Sequence, residues 1–485
     1  MSRPRKAEDP FRWPEPCRRC GQHYQTVAYW PDGGICGYRY QQAKRTRGIC
    51  VCGHVGVLPG LVSGQPACRK CSGVSINIDC RECGAEDELY DRTRCWRCVL
   101  IAAVDEVLTN PSTGIIADEL IPMATALKSM KRSNSGLTWI RQKHVAEFLR
   151  EVAVAPSVTH QALDTLPKSR TREHIRGLLV EHGTLPRRDD FLARYEVWAS
   201  KALERISDPR NRDTIRRYIR WQHLRRMNQM ESVSRGTFLT SKQLVTVAID
   251  LVNWLTDSGV ALSQVKQEDL DTWVNGGSTT RLRGDRFLMW AIKAGIVNPD
   301  LAIRRHRRGT SPRMSSSDQD HALQRVVHAQ ELTSRDQAVA MLVLVFAQHV
   351  EDVVALTWDD ITVTDDIVTV HLGSIDIALP EPLDQPWREL AAAPGHDLTA
   401  SHPNTNWVFR GYSPGSHLDP SYLRTRLKSV FSARAARLGT LHELTKLAPV
   451  AIIAEALGYS PSTIENHAID STTAYARYIA AIRQT

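Results

Sequence analysis

Cysteine is the residue type with the clearest chemical pattern, because all eleven cysteines of this 485-residue chain lie between Cys17 and Cys98. Most occur as short pairs, namely Cys17/Cys20, Cys50/Cys52, Cys68/Cys71, Cys80/Cys83 and Cys95/Cys98, and Cys36 stands alone. Two thiolates separated by two residues typically bind a tetrahedral zinc ion. The four cysteines from Cys80 to Cys98 have the complete spacing of such a site, with Gly84 positioned to form the turn.

Two further metal sites are predicted upstream. Cys52 and His54 precede Cys68 and Cys71 in one, and Cys17 and Cys20 precede Cys36 in the other. Three tetrahedral sites need one ligand more than the cysteines supply, so either His23 or His54 would complete the set, and the site that takes Cys50 stays open. We expect about two or three structural zinc ions per chain. The predicted ligands are Cys17, Cys20, Cys36, Cys50, Cys52, His54, Cys68, Cys71, Cys80, Cys83, Cys95 and Cys98.

A disulfide framework is the alternative explanation of these cysteines, and it requires an oxidising compartment. The first ten residues are charged and proline-rich, without the apolar core of a signal peptide. The longest apolar run, Ala338–Ala347, is too short to span a bilayer. We therefore expect a cytoplasmic, nucleoid-associated protein with metal-bound cysteines. Complete thiolate sets leave no open coordination position, so the predicted role of the zinc is structural.

The positive charge of the chain is clustered, which favours a polyanionic partner. The net charge is +9 and the pI about 9.0. Basic residues alternate with aromatic residues from Arg210 to Arg226, and a second basic stretch, Arg304–Arg313, runs into serines. A merely solvated basic surface is the alternative, but the clustering predicts contacts with the phosphates of double-stranded DNA. The predicted DNA-binding residues are Arg212, Arg216, Arg217, Arg220, Arg225, Arg226, Arg304, Arg305, Arg307 and Arg308.

The elements that must position these residues predict a multidomain, mainly α chain. Residues 1–99 form the zinc-binding module, and 100–186 have helical periodicity broken by prolines, which predicts a helical connector. Residues 187–308 predict an all-helical domain, and 309–322 a basic, serine-rich linker. Residues 323–485 predict an α+β domain in which Thr333 caps a fully apolar helix and two strands lie between Ile367 and Leu379.

Several stretches in the last two domains resemble the tyrosine recombinases of the phage-integrase type. They are Ala355–Ile361 (ALTWDDI), Trp407–Arg410, Ile452–Thr463 and Leu244–Asn298. The resemblance extends from about Arg187 to the end, and the cysteine-rich start is similar to that of an actinobacterial integrase-like subgroup. It implies a core-binding domain at 187–308, a catalytic-fold domain at 323–485, and a role in DNA recombination or integration.

The resemblance also implies where catalytic residues would fall. An active member clamps the scissile phosphate with two arginines, a lysine from the sheet and histidines, and a tyrosine forms a 3'-phosphotyrosyl link. Here the first arginine position holds His349, the sheet has no lysine, and the second arginine falls on Arg434 or Arg437. The family's Gly-His is Gly458-Tyr459, and the nucleophile position falls near His467 or Ala468. The implied candidate residues are His349, Arg434, Arg437, His442, Tyr475 and Tyr478.

Three hypotheses follow. In the first, the chain clamps duplex DNA with a degenerate catalytic site, as an accessory or regulatory factor. In the second, it is an active site-specific recombinase with a divergent site. In the third, the zinc module is a platform for protein interactions. A second copy of the chain or a partner recombinase on the DNA is the further partner that the resemblance implies.

Overall fold

The computed structural model describes residues 7–304, 312–328, 331–393 and 400–469. The chain divides into two compact units. One is discontinuous and comprises Met1–Leu185 together with Arg313–Thr485, and the other is Pro186–Pro312. We call them the discontinuous unit and the inserted unit.

The N-terminal part of the discontinuous unit consists of small hairpins and short helices. Three antiparallel hairpins form from β1 (Thr26–Trp30) with β2 (Gly33–Cys36), β3 (Arg47–Ile49) with β4 (Val55–Val57), and β5 (Gly60–Val62) with β6 (Gln65–Ala67). Helices α1 (Gly37–Ala43) and α2 (Arg69–Ser72) lie among them. These elements are too short to enclose an ordinary apolar core, and their buried clusters are built on cysteines, as with Cys17 and Cys36 beside Ile35.

The stretch that follows is a bundle of short helices, as its periodicity predicts. Its helices are α3 (Trp96–Leu108), α4 (Ile121–Lys128), α5 (Ser133–Ile140), α6 (Lys143–Val154), α7 (His160–Thr165) and α8 (Arg170–Glu181). Leu100, Val104 and Leu108 of α3 are fully buried and form the centre of the bundle core. Since α3 begins directly after Cys95, the last cysteine pair and this core are part of one rigid element.

All the regular elements in the described part of the inserted unit are helical. It contains α9 (Asp190–Leu203), α10 (Pro209–Tyr218), a π-helical turn (Ile219–Leu224), α11 (Arg225–Asn228), α12 (Arg235–Asp257), α13 (Gln267–Asn275) and α14 (Asp285–Lys293), with 3-10 turns at Leu262–Gln264 and Thr279–Gly284. The long helix α12 supplies most of one apolar face, and Trp273 and Phe287 are buried against it. Asp208 caps α10 and Ser234 caps α12 by accepting backbone N–H groups, which fixes where both helices begin.

The C-terminal part of the discontinuous unit is an α+β domain. It contains α15 (Ser316–His328), α16 (Ser334–Val345), α17 (Val350–Val354), β7 (Ile361–Val363), β8 (Val368–His371), β9 (Asp376–Leu379), α18 (Gln385–Ala392), α19 (Pro420–Leu427), α20 (Ala433–Leu447) and α21 (Val450–Leu457), and residues 461–469 are also helical. The strands form one antiparallel sheet in the order β7-β8-β9. Helix α16 is apolar on all sides and is buried from Ala338 to Leu344, as its sequence predicts.

Two features of this domain differ from the sequence-based description. Helix α15 begins at Ser316, inside the stretch that composition predicted as a linker, because Ser315 Oγ accepts the Asp318 N–H at 3.1 Å and so starts the helix. A third strand, β7, joins the two predicted strands, with Ile361 opposite Val370.

The helical bundle and the C-terminal domain contact each other at the end of α8. Asn404 Nδ2 donates to Glu181 O at 2.8 Å, and His182 Nε2 lies 3.0 Å from Ala400 O. Gly177 faces Pro414 so closely that a Cβ at Gly177 would lie 2.9 Å from the proline ring. The stretch predicted as a connector is therefore a docked part of the discontinuous unit. In the portion of the chain that the structure describes, no helix combines the length and the apolar character needed to cross a membrane.

Candidate metal centres and nucleic-acid surface

Three groups of cysteine thiols are assembled in the N-terminal module. Cys80, Cys83, Cys95 and Cys98 form one, Cys50, Cys52, Cys68 and Cys71 form another, and Cys17, Cys20 and Cys36 form the third. Within each group all the sulfur atoms lie within 4.8 Å of one another. The first of these groups is the one with complete predicted spacing, and the second contains Cys50, whose site the sequence left open.

The three groups share one backbone arrangement. The third cysteine of each group is the N-cap residue of a helix: Cys36 for α1, Cys68 for α2 and Cys95 for α3. In every case the backbone N–H of that cysteine donates to the sulfur of the first cysteine of its group, at 3.3, 3.3 and 3.2 Å respectively. The module is thus a tandem repeat of one knuckle, although the sequence between the cysteines differs in each copy.

The sulfur geometry fits zinc. Pairs of sulfurs are separated by 3.8 Å (Cys80 to Cys98), 3.8 Å (Cys83 to Cys95), 3.7 Å (Cys52 to Cys68) and 3.8 Å (Cys20 to Cys36). A tetrahedral ion with Zn–S bonds of about 2.3 Å places its ligands about 3.8 Å apart. Backbone N–H groups of Cys52 and Cys68 also lower the pKa of Cys50 to about 6, which favours the thiolate that a metal requires.

Neither histidine considered as a ligand joins a cysteine group. His54 Nε2 lies 2.9 Å from Glu86 Oε2, and His23 Nδ1 lies 2.9 Å from the carbonyl oxygen of Trp13. The prediction that His54 is a metal ligand is therefore wrong, because its ring contacts the Glu86 carboxylate. Cys50 is instead the fourth member of the group with Cys52, Cys68 and Cys71.

Arg39 occupies the position at which the first knuckle would have its fourth ligand. In the other two knuckles the residue three positions after the N-cap cysteine is Cys71 or Cys98, whereas after Cys36 it is an arginine. Its Nη1 donates to Gln42 Oε1 at 2.7 Å. The sequence analysis did not identify Arg39 as a site residue. An alignment of the three cysteine groups by their spacing identifies it.

Most basic residues beside the cysteines are engaged by carboxylates. Arg19 pairs with Asp32 at 2.6 Å, and Arg45 pairs with Glu88 at 2.7 Å. Arg69 is bound by both Asp79 and Glu86, which raises its pKa, chiefly through the Asp79 hydrogen bond. These cations stabilise the knuckles, so they are less available to a phosphate backbone than their number in the sequence indicates.

The basic helix of the inserted unit exposes its cations. We call residues 209–228, from α10 through the π turn to α11, the basic helix. Trp221 is 54% exposed, and the guanidinium groups of Arg220 and Arg225 lie 5.9 and 5.6 Å from its ring centre. Residues five apart come onto one face where a helix bonds i to i+5, so the π turn places both arginines against the same tryptophan.

The other predicted DNA-binding residues differ in exposure. Arg217 and Arg226 are exposed, and Arg216 is exposed but paired with Asp213 at 3.0 Å. Arg212 is half-buried and donates two hydrogen bonds to Ile206 O, at 3.0 and 2.6 Å, so its role in the structure is to close the α9–α10 turn. Arg304 is exposed, whereas Arg305, Arg307 and Arg308 lie outside the described residues.

In the C-terminal domain, His349, Arg437 and Tyr459 come together. Arg437 Nη1 donates to Tyr459 Oη at 3.4 Å, and the rings of His349 and Tyr459 lie 5.9 Å apart. Tyr459 Oη donates in turn to Ala347 O at 2.5 Å. Ala347 has φ of 55°, a left-handed conformation that costs a residue with a side chain about 1–3 kcal/mol and often marks a functional site. The sequence named Tyr459 only as a departure from the family's histidine.

The electrostatics of this group keep it weakly charged. Partial desolvation of the imidazole, followed by the nearby Arg437 charge, lowers the pKa of His349, so its imidazole is neutral at pH 7. Partial desolvation by neighbouring groups raises the pKa of Asp352, which lies in the first turn of α17. Arg437 is consequently the one fixed positive charge among His349, Asp352, Arg437 and Tyr459.

The remaining candidate catalytic residues are not assembled with this group in the described contacts. His442 accepts a hydrogen bond from Arg313 Nη1 at 2.7 Å, and Arg434 is exposed on α20. Tyr475 and Tyr478 lie outside the described residues. At the β8–β9 turn, His371 pairs with Asp376 at 2.8 Å. That turn packs against the end of α21 through Ser374 N, which donates to Glu455 O at 3.0 Å.

Comparison with known proteins gives weak structural likenesses. No protein-family model matches the chain, and no curated protein matches it. The XerH site-specific recombinase in a post-cleavage complex with a palindromic difH substrate is 13% identical with a TM-score of 0.39, over 61% of this chain and 95% of that one. A lambda integrase (75–356) dimer on a core site is 11% identical with a TM-score of 0.35, over 53% and 94%. The integrase of mycobacterium phage Brujita is 17% identical with a TM-score of 0.22, over 53% and 91%.

Proposed function

We propose that this chain is a DNA-binding protein of the tyrosine recombinase type that clamps duplex DNA and has a degenerate catalytic site, acting in DNA recombination or integration or in their regulation. The observation that carries the proposal is the exposed Arg220–Trp221–Arg225 stack on the basic helix. Three exposed cations of this helix, Arg217, Arg220 and Arg225, have no described carboxylate partner, and two of them lie beside the aromatic ring. Such a surface suits phosphates and bases together.

Zinc has a structural part in this proposal. The two groups of four cysteines hold zinc, and the group of Cys17, Cys20 and Cys36 holds a third ion with less complete coordination. Bound zinc supplies the folding free energy that hairpins with strands of three to five residues cannot gain from apolar burial.

Loss of strand cleavage follows from the charge at the recombinase-like group. A phosphoryl transition state gathers negative charge and needs preorganised cations around it. His349 is neutral at pH 7 and lacks the bidentate fork of an arginine, and the β8–β9 turn carries no lysine. Arg437 alone is a poor clamp for such a charge.

The second candidate, an active recombinase with a divergent site, is favoured by one observation. His349, Arg437 and Tyr459 are assembled around the strained Ala347, as the residues of a functional site are. The two candidates share DNA as partner and differ in whether a tyrosine becomes covalently linked to it.

The DNA-binding proposal is tested by the salt dependence of binding to a labelled duplex, measured by fluorescence anisotropy. Replacing Arg217, Arg220 and Arg225 together by Gln removes three phosphate contacts. We expect weaker binding to all sequences alike, and a slope of log K against log salt that is smaller by up to about three.

The matched control is Arg205→Gln, which removes an exposed arginine of the same unit from the α9–α10 turn, outside the Arg220–Trp221–Arg225 stack. It should leave the slope of the wild type nearly unchanged. A wild-type affinity that barely changes with salt, or equal slopes for the triple variant and the control, would refute the proposal.

A further inference from the structure

A polar cavity of about 500 Å³ lies in the inserted unit beside the basic helix. The basic helix, the first turns of α12 and the residues around the start of α14 enclose it. The lining residues that matter here are His223, Arg226, Thr237, Thr240, Arg283 and Arg286.

Three of the lining side chains are arginines. Among the described residues, Arg226 and Arg283 form no ion pair within 4.0 Å, and Arg286 reaches only Asp285, at 3.9 Å. Asp285 is the one carboxylate in the lining. Three guanidinium groups against one carboxylate leave the cavity positive, which favours an anionic ligand.

Two buried polar residues among those lining the cavity each have a side-chain atom that lacks a hydrogen-bond partner in the described structure. His223 is only 5% exposed, and its Nε2 has no described hydrogen-bond partner. Tyr218 is fully buried, and its Oη also has no described hydrogen-bond partner. A buried polar atom without a partner destabilises the folded state, because it has lost its hydrogen bonds to water. A ligand with several acceptor oxygens would satisfy both as donors.

Local backbone structure explains why these groups face one space. The π turn brings Tyr218 and His223, five residues apart, onto the same face, with their rings 4.9 Å apart. On the opposite wall, Gly236 and Thr237 belong to the first turn of α12, a helix of 23 residues. The positive end of the helix dipole adds to the field of the arginines.

We propose that this cavity binds a phosphate group, either of the DNA backbone or of a free nucleoside phosphate. Burial, and then the nearby Arg226 charge, lower the pKa of His223 to about 4, so a neutral imidazole faces the ligand at physiological pH. The hydroxyls of Thr237 and Thr240 offer further donors. The DNA source rests on the proposed function, whereas the free phosphate source does not.

The first arm of the test uses inorganic pyrophosphate and the full chain in isothermal titration calorimetry. We expect one saturable site in the wild type. Arg226→Gln and Arg283→Gln should each weaken it about tenfold or more, because each removes charge-assisted hydrogen bonds. Arg205→Gln is the control with the same charge change outside the cavity. Thermal unfolding of each variant shows that it is folded.

The second arm measures the affinity of the same variants for a labelled duplex. A tenfold loss for Arg226→Gln and Arg283→Gln, but not for Arg205→Gln, supports the cavity with DNA as the phosphate source. Loss of pyrophosphate binding with unchanged DNA affinity supports the cavity with a free phosphate as ligand. If the wild type binds no DNA, the proposed function fails while the pyrophosphate arm still decides on the cavity. If neither ligand responds to either cavity variant, the cavity proposal is wrong.

Discussion

The chemistry at position 349 depends on which side chain stands at the start of α17. The histidine there is the N-cap residue of α17 without a side-chain capping hydrogen bond, and its ring lies 5.9 Å from that of Tyr459, but its lowered pKa leaves it uncharged at pH 7. An arginine at the same place would be charged at every relevant pH and would present a planar fork to a phosphate. A single residue type therefore decides how much negative charge the group with Arg437 can stabilise.

We expect no covalent protein–DNA adduct from this chain. The measurement uses a nicked suicide duplex that traps a 3'-phosphotyrosyl intermediate, analysed on denaturing gels for the wild type, Tyr475→Phe and Tyr478→Phe. The physical reason is the shortage of fixed cations around the scissile phosphate, with His349 neutral and no lysine in the sheet. An adduct in the wild type that one of the two Phe variants abolishes would establish the active-recombinase alternative and identify the nucleophile.

His223 makes the stability of the inserted unit depend on pH. Its folded pKa of about 4 lies below the value of about 6.5 expected in the unfolded chain, so the unfolded state binds the proton more tightly. Above about pH 6.5 His223 is neutral in both states and does not lower the free energy of unfolding. As pH falls from about 6.5 towards 4, the unfolded state takes up the proton first, so the free energy of unfolding decreases. Between pH 7 and pH 5 we expect a loss of about 2 kcal/mol in the free energy of unfolding.

This loss can be measured by urea unfolding of residues 186–312 expressed alone, in which His306 is the only other histidine. The variant His306→Gln serves as control and should keep the pH dependence, while His223→Gln should reduce it. A histidine NMR titration in which both rings have midpoints near 6.5 would contradict the expected burial effect.

At the scale of elements, the three knuckles share one backbone and differ in their ligands. Each places a cysteine at the N-cap of a helix and a hydrogen bond from that residue to the first sulfur. In the two complete sites, helix geometry then fixes the relative position of the second pair of cysteines, since the N-cap and N3 positions lie on the same side of the first turn. The first knuckle keeps this frame but presents Arg39 where the others present a thiol.

We therefore expect Arg39→Cys to create a third complete site. After competition with a strong chelator, the wild type should retain about two zinc ions per chain and the variant about three, measured by elemental analysis. Arg39→Ser, which removes the charge without adding a thiolate, is the matched control and should behave as the wild type. Equal retention in Arg39→Cys and Arg39→Ser would show that position 39 does not reach the metal. Exhaustive chelation should unfold the knuckles and leave the inserted unit helical.

Sequence reasoning was most successful where the physical determinants are local. Cysteine spacing predicted the groups, and the Thr333 cap and apolar run predicted α16, because both depend on residues within a few positions. The place of Cys50 could not be predicted, since its pair has one intervening residue and the β3–β4 hairpin determines which way the sulfur faces. The π turn has no known sequence signal. The contact of His182 with Ala400 joins residues 218 positions apart, which periodicity cannot detect.

At the scale of the whole molecule, the inserted unit has its own core. Tyr195, Trp273 and Phe287 are fully buried within it, and residues from α9 to α14 all contribute to one apolar cluster. We expect residues 186–312 expressed alone to fold cooperatively, with helical circular dichroism and a single urea transition. A broad, non-cooperative transition with dye-binding apolar surface would show that the unit needs the rest of the chain.

The discontinuous unit has a consequence for the order of events on the ribosome. Every cysteine group closes over a short stretch of chain, so each can take up metal soon after it emerges from the exit tunnel. The end of α8 must wait much longer, because its partners Ala400, Asn404 and Pro414 are translated only after the whole inserted unit. Chains whose synthesis stops early would therefore have metal-bound cysteine groups but an uncovered surface around Gly177. That exposed surface would be the first target of proteases and chaperones.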